Sequence, residues 1–201
     1  MDYSLYKDVN GLSGSSFWDG LFKFLANQGV YVVVAIVALT FLLPWTRRRL
    51  ERRTGAVTGT LAAGLALLVA KVLTDIVDRT RPFVAHPKQS HLLIHHARDA
   101  GFPSDHATGT FALAMGVWLF DRAIGAVLLV LAAAISFARV YVGVHYPGDV
   151  VGGALIGIAA AVLLGRGPLG RLVGRLAEWC SNLWDSILAR AGVRPRAYPS
   201  P

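Results

Sequence analysis

The sequence predicts an all-α membrane protein, a polytopic bundle of about five spanning helices with interfacial amphipathic helices at its flanks. Three observations carry that prediction. Hydrophobic residues make up 54% of the 201-residue chain and charged residues only 16%, where an average soluble domain has about 45–50% and about 25%. Five stretches in succession are apolar all round, a pattern that buries a helix in lipid or protein and not along one stripe. Arginines gather in short runs beside those stretches, as they do at membrane boundaries.

The elements follow in order. Residues 1–28 read as an interfacial N-terminal segment, with Phe17, Leu21, Phe24 and Leu25 at helical spacing in Ser16–Ala26. Met1–Asn10 lacks the basic start and apolar stretch of a cleavable signal. Residues 29–166 form the transmembrane core. Its spans run over Asn27–Trp45, Gly55–Val77, Phe102–Phe120, Ala123–Phe137 and Gly148–Gly165. The last two are short for a span of roughly 20 residues. Gly55/Gly59 and Gly153/Gly157 have the four-residue spacing that lets helices approach closely. Residues 167–192 read as an amphipathic cytoplasmic helix, with Leu172, Leu176, Trp179, Leu183 and Ile187 on one face, and 193–201 as a disordered tail. The single cysteine, Cys180, allows no intrachain disulfide.

Orientation follows from arginine. Thr46–Arg53 carries five arginines in eight residues, so this loop is expected in the cytoplasm. The N-terminus is then outside and the C-terminus, with Arg166, Arg171, Arg175 and Arg190, is cytoplasmic. The net charge of +8 suits anionic lipid headgroups, and no nucleic-acid partner is expected.

Ionisable residues gather on the same expected outer face. Arg79-Thr80-Arg81-Pro82 precedes the outer loop, Pro103-Ser104-Asp105-His106 opens the third span, and Arg139, His145 and Asp149 follow the fourth. Pro103 suits a first helical turn. The backbone N–H groups after it, that of Asp105 included, and the Ser104 hydroxyl would then face an anion. Arg81 and Arg139 offer planar forks for phosphate oxygens. Asp149, in the first turn of a helix starting at Pro147, is placed to hold one ring nitrogen of His145 and free the other as a nucleophile. His106 is the candidate general acid. A competing constellation is His86, His91, His95 and His96 with Asp99 in the outer loop, a possible metal site. A small transporter or a lipid-binding scaffold would instead place polar residues through the bilayer, and these gather at one interface.

These segments resemble the phosphatidic-acid-phosphatase type 2 family, whose pattern is Lys-x6-Arg-Pro, Pro-Ser-Gly-His and Ser-Arg-x5-His-x3-Asp. Here the third part reads Ala138-Arg139, His145 and Asp149, the second Pro103-Ser104-Asp105-His106, and the first keeps Arg81-Pro82. The resemblance implies a membrane lipid phosphatase that needs no metal or other cofactor. His145 attacks phosphorus, Asp149 orients it, His106 is the acid, and Arg81, Ser104 and Arg139 hold the phosphate. The family lysine falls on Thr74, so Lys71 or Arg79 is left to supply that cation; Asp105 replaces glycine and Ala138 serine. The Pro-Ser-Asp-His variant and the short chain resemble the bacterial undecaprenyl-pyrophosphate phosphatase branch. That implies a polyprenyl-diphosphate substrate on the outer face of the bacterial cell membrane, recycling the lipid carrier of cell-wall synthesis. The alternatives are phosphatidylglycerol phosphate, phosphatidic acid or another prenyl-linked phosphate, or a non-catalytic lipid-phosphate binder.

Overall fold

The computed structural model describes residues 2–43 and 48–193. The end of the first expected span at Trp45, the start of the basic loop at Thr46-Arg47, and residues 194–201 of the expected tail lie outside the described residues. Among the described residues the secondary structure is helical throughout: α1 (Asp2–Asn10), α2 (Ser16–Leu42), α3 (Arg49–Val77), α4 (Pro82–Ala85), α5 (Asp105–Trp118), α6 (Arg122–Tyr141), α7 (Pro147–Gly165) and α8 (Gly167–Arg190). Four helices are long and apolar enough to cross a membrane: α2, α3 with its extension to Ala85, α6 and α7. The chain is therefore a polytopic helical bundle.

Two boundaries differ from the sequence reading. The segment Ser16–Ala26 is not a separate interfacial helix but the first turns of α2, whose 27 residues span about 40 Å. Tertiary contact holds it in line: Phe22 packs on Phe137 and Tyr141 at ring separations of 5.3 and 4.4 Å. The short helix is α5, with 14 residues, whereas α6 and α7 reach 20 and 19. α6 does so by running on through Arg139 to Tyr141, because that arginine is buried and paired inside the protein. A helix wrapped by others need not match the bilayer thickness itself.

α5 packs against α3, α6 and α7. Small residues make this possible. A Cβ on Gly116 of α5 would lie 2.3 Å from the Gly59 Cα of α3, and one on Gly157 of α7 would lie 2.3 Å from the Thr108 carbonyl of α5. The expected glycine pairs thus serve as backbone contacts with α5. Gly116→Val should push α5 off α3 at a cost of about 3 kcal/mol, read as a lowered thermal unfolding midpoint in detergent; an unchanged midpoint would remove the backbone contact as a stabilising feature.

The two ends of the bundle differ in chemistry. At one end, Arg52 pairs with Asp121 at 2.7 Å. The fully buried Arg53 donates to the Phe41 carbonyl, the Ser181 hydroxyl and Asp185. These bonds tie α8 to α3. Val173, Ala177 and Ser181 of α8 are buried, while Leu172, Leu176, Trp179, Leu183 and Ile187 are exposed, so the apolar face read from the sequence is the outward one. The opposite end brings together the C-terminal ends of α3 and α6, the first turns of α5 and α7, and the loop between α4 and α5.

Candidate active site

A polar cavity of about 440 Å³ opens at that opposite end, lined by Lys71, Thr74, Arg81, His96, Asp99, Ala100, Pro103, Asp105, His106, Arg139 and His145 beside the apolar Leu67. His145 sits in the short connection between α6 and α7 and is buried. Its Nδ1 lies 3.0 Å from the Gly101 carbonyl. A carbonyl only accepts, so Nδ1 carries the proton and Nε2 keeps its lone pair. Nε2 accepts from Arg81 Nη1 at 3.1 Å. Burial, then the charges of Arg139 and Arg81, hold the imidazole well below its ordinary value, so it rests neutral at pH 7.

The Asp149 carboxylate does not hold that ring by a hydrogen bond, as the spacing led us to expect. Its nearer oxygen stands 3.6 Å from Nδ1, outside hydrogen-bond range. α7 begins at Pro147, as read from the sequence. In its first turn Asp149 instead accepts from the Tyr146 N–H and from Arg79, each at 2.8 Å. The carboxylate is therefore a charge beside the imidazole, and the Gly101 carbonyl fixes the tautomer.

Arg81 is buried and donates in five directions: to the Asp99 carbonyl and carboxylate, to the Val144 and Ala100 carbonyls, and to His145. Arg139, also buried, donates from Nη1 to the Ala26 carbonyl at 3.1 Å and from Nη2 to His96 Nε2 at 2.9 Å. His96 Nδ1 donates to the Ala97 carbonyl at 3.1 Å, which leaves its Nε2 free to accept from Arg139. Burial is the main cause that lowers the His96 pKa, with the Arg81 and Arg139 charges adding to it. His96 is a lining residue that sequence reasoning placed only in a metal constellation. Its signal is position in the outer loop, which carries no information about which side of the cavity it faces.

Ser104 is the N-cap of α5 and is fully buried. Among the described residues its hydroxyl has no hydrogen-bond partner. The helix starts at Asp105, two residues after Pro103, so the N–H groups of its first turn lack intrahelical partners. Asp105 and His106 both line the cavity. Thr74 and Lys71 line it too, but the Lys71 ammonium pairs with Asp75 at 2.8 Å. Arg79 does not line the cavity; its guanidinium is spent on Asp149 and Asp2. Of the two cations left to replace the family lysine, Lys71 is the one placed at the cavity. The outer-loop histidines are not drawn together: His86 packs on Tyr3, His91 bonds Ser13 and His96 bonds Arg139. No group of three or more possible metal-ligating side chains occurs among the described residues.

The geometry has counterparts. The family model described as the PAP2 superfamily matches residues 55–168, which holds every cavity residue. The chain belongs to the PAP2 superfamily. Members of that superfamily are phosphatases, and this chain is a multi-pass membrane phosphatase among them. It is 34% identical to undecaprenyl-diphosphatase BcrC of Bacillus subtilis, over 97% of either chain. It is 31% identical to the lipid A 4'-phosphatase of Bacteroides thetaiotaomicron, over 78% of this chain and 72% of that one. Among solved structures, LpxE of Aquifex aeolicus is similar with a TM-score of 0.68 and 26% identity, covering 80% of this chain and 92% of that one.

Proposed function

We propose that this PAP2 phosphatase removes the terminal phosphate of a polyprenyl diphosphate such as undecaprenyl pyrophosphate. One observation carries the lipid part of that reading. An apolar groove of about 720 Å³, walled by Val30, Val34, Phe41, Val57 and Leu61 of α2 and α3, shares Leu67, Asp105 and His106 with the polar cavity. A phosphate in the cavity then has a continuous apolar path for its chain. The near full-length similarity to an undecaprenyl-diphosphatase favours a polyprenyl chain.

His145 Nε2 attacks phosphorus while the P–O bond to the lipid phosphate breaks. The bonding pair goes to the leaving oxygen, which takes a proton from His106, an imidazole that burial keeps neutral without substrate and that is protonated once the diphosphate anion lies beside it. Arg81 Nη1 passes from Nε2 to a phosphate oxygen, joined by Arg139, the Ser104 hydroxyl and the first-turn N–H groups of α5. Water then attacks the phosphohistidine, giving its proton to His106, and the P–N bond breaks to return Nε2 and release inorganic phosphate. The transferred group is stabilised by fixed charges and dipoles throughout. The cavity meets α3 at Lys71 and Thr74, about 30 Å along the helix from the arginines at 48–53. By the positive-inside rule, this supports an active site on the outer face of a bacterial cell membrane, with the N-terminus outside and the C-terminus inside.

The test is phosphate release by purified protein in detergent with EDTA, offered undecaprenyl pyrophosphate, phosphatidylglycerol phosphate and lipid A in parallel. Preference for the polyprenyl substrate supports the proposal. Preference for lipid A would favour the second reading, for which the 31% identity to a lipid A 4'-phosphatase is the supporting observation. Loss of activity in EDTA that zinc restores would overturn the metal-free mechanism. The groove has its own test. Ala38 lies on its exposed wall, and Ala38→Trp should raise KM for the long-chain diphosphate by about tenfold. Turnover of a short-chain prenyl diphosphate should be unchanged; equal loss on both would detach the groove from the substrate.

A further inference from the structure

We infer that Asp2 of α1 is a positioning residue for the phosphatase reaction, acting through Arg79 on the Asp149 carboxylate beside His145; this rests on the function proposed above. The Asp2 carboxylate grips two things at once. One oxygen accepts from Arg79 Nη2, and the other accepts from the Gly148 N–H at 2.9 Å. Gly148 is the second residue of α7, so Asp2 satisfies a donor of that helix's open first turn from outside the helix.

Arg79 is the hub of the connection. Its side chain donates to Asp149 at 2.8 Å. Its backbone carbonyl accepts from the Gly101 N–H at 2.7 Å, and the Gly101 carbonyl in turn accepts from His145 Nδ1. One residue therefore sets the carboxylate beside the imidazole and the carbonyl that fixes its tautomer. The guanidinium also stacks on the Tyr146 ring, 4.4 Å away.

The contact is built into the backbone. A Cβ on Gly148 would come within 2.8 Å of the Asp2 carboxylate and 3.2 Å of Arg79 Nη1. A side chain at Gly148 would have to push the Asp2 carboxylate aside from the helix start. α1 is fixed at its other end by Asn10, which is buried, donates to the His91 and Tyr141 carbonyls and accepts from the His91 N–H. Tyr6, fully buried, packs edge-on against Tyr146 between the two anchors. A nine-residue helix is marginal alone, and these anchors hold it across the end of the bundle.

Without the Asp2 charge, Arg79 keeps one carboxylate partner and a third of its side chain is exposed. The guanidinium is then free to shift, and Asp149 shifts with it. The full-length protein is assayed for phosphate release from undecaprenyl pyrophosphate and phosphatidylglycerol phosphate. Asp2→Asn keeps an acceptor for Gly148 and removes the negative charge paired with Arg79. It should lower kcat on the order of tenfold with KM and the thermal unfolding midpoint unchanged, and Asp2→Glu should recover part of the loss. In an Arg79→Gln background, Asp2→Asn should lower kcat by less than about twofold further. Wild-type kcat in Asp2→Asn, or the same loss in both backgrounds, overturns the inference. A fall in the unfolding midpoint that fully accounts for the loss also overturns it. If the unmodified protein releases phosphate from neither lipid, the functional proposal falls and this inference with it. Turnover by the unmodified protein that Asp2→Asn matches sinks this inference alone.

Discussion

Replacing His145 with alanine should reduce phosphate release by on the order of 10⁴-fold or more, the scale on which a lost nucleophile is felt. The expectation rests on a defined tautomer. The Gly101 carbonyl keeps the proton on Nδ1, and Nε2 keeps its lone pair, accepting from Arg81 at the cavity. The protein should still fold, since the rest of the bundle is packed by α2, α3, α5, α6 and α7; its unfolding midpoint in detergent is the control. A phosphoryl group trapped on protein by acid-free quenching should vanish in the same variant. Residual turnover near wild type would remove His145 as nucleophile. The pH dependence has a sign. His145 is held well below 6.5 by burial and by the nearby arginines, so it takes up a proton only well under that pH. Its lone pair is then available across pH 6–7, and any acid limb assigned to this group in kcat/KM should fall below pH 6.5.

Arg81 should have the next largest effect. It joins Asp99 and Ala100 of the outer loop to Val144 and His145 of the connection before α7. Arg81→Ala removes the phosphate fork and loosens that joint, and kcat/KM should fall by about 10²–10³-fold. Arg81→Lys keeps a charge but not the planar set of five donors. It should recover less than about a tenth of the lost activity. Full activity in the lysine variant would reduce the role of Arg81 to charge alone. Asp99 is the reporter on the structural side. Burial pulls its carboxyl upward, but the charge and hydrogen bond of Arg81 outweigh that and hold it below the usual range. In Arg81→Ala its pKa should therefore rise, which titration followed by NMR would detect.

Much of the candidate site was legible because it rests on short-range spacing. Arg139, His145 and Asp149 lie within one helix end, one short connection and one helix start, so their separation in sequence fixes their separation in space. Ser104, Asp105 and His106 open a single helix and were readable for the same reason. The groups that set the His145 ring were not. The Gly101 carbonyl is a backbone atom that any residue carries, so no residue type marks it. Asp2 reaches Arg79 across 77 positions and Gly148 across 146, and His96 reaches Arg139 across 43. Each pairing depends on where a loop or helix comes to rest, and periodicity says nothing about that.

The division has a physical reason. All-round apolar runs can satisfy their backbone in lipid only as helices, so the sequence alone determined a helical membrane bundle. Short-range spacing determined which polar residues share an end of it. The tertiary structure decided that α5, the shortest of the five expected spans, would be the central one, because glycines on α3, α5 and α7 admit backbone contact there. It also decided that Asp149 stands beside His145 without bonding it, because the nearest donors to its carboxylate are Arg79 and the Tyr146 N–H, whose positions are set by packing between distant segments.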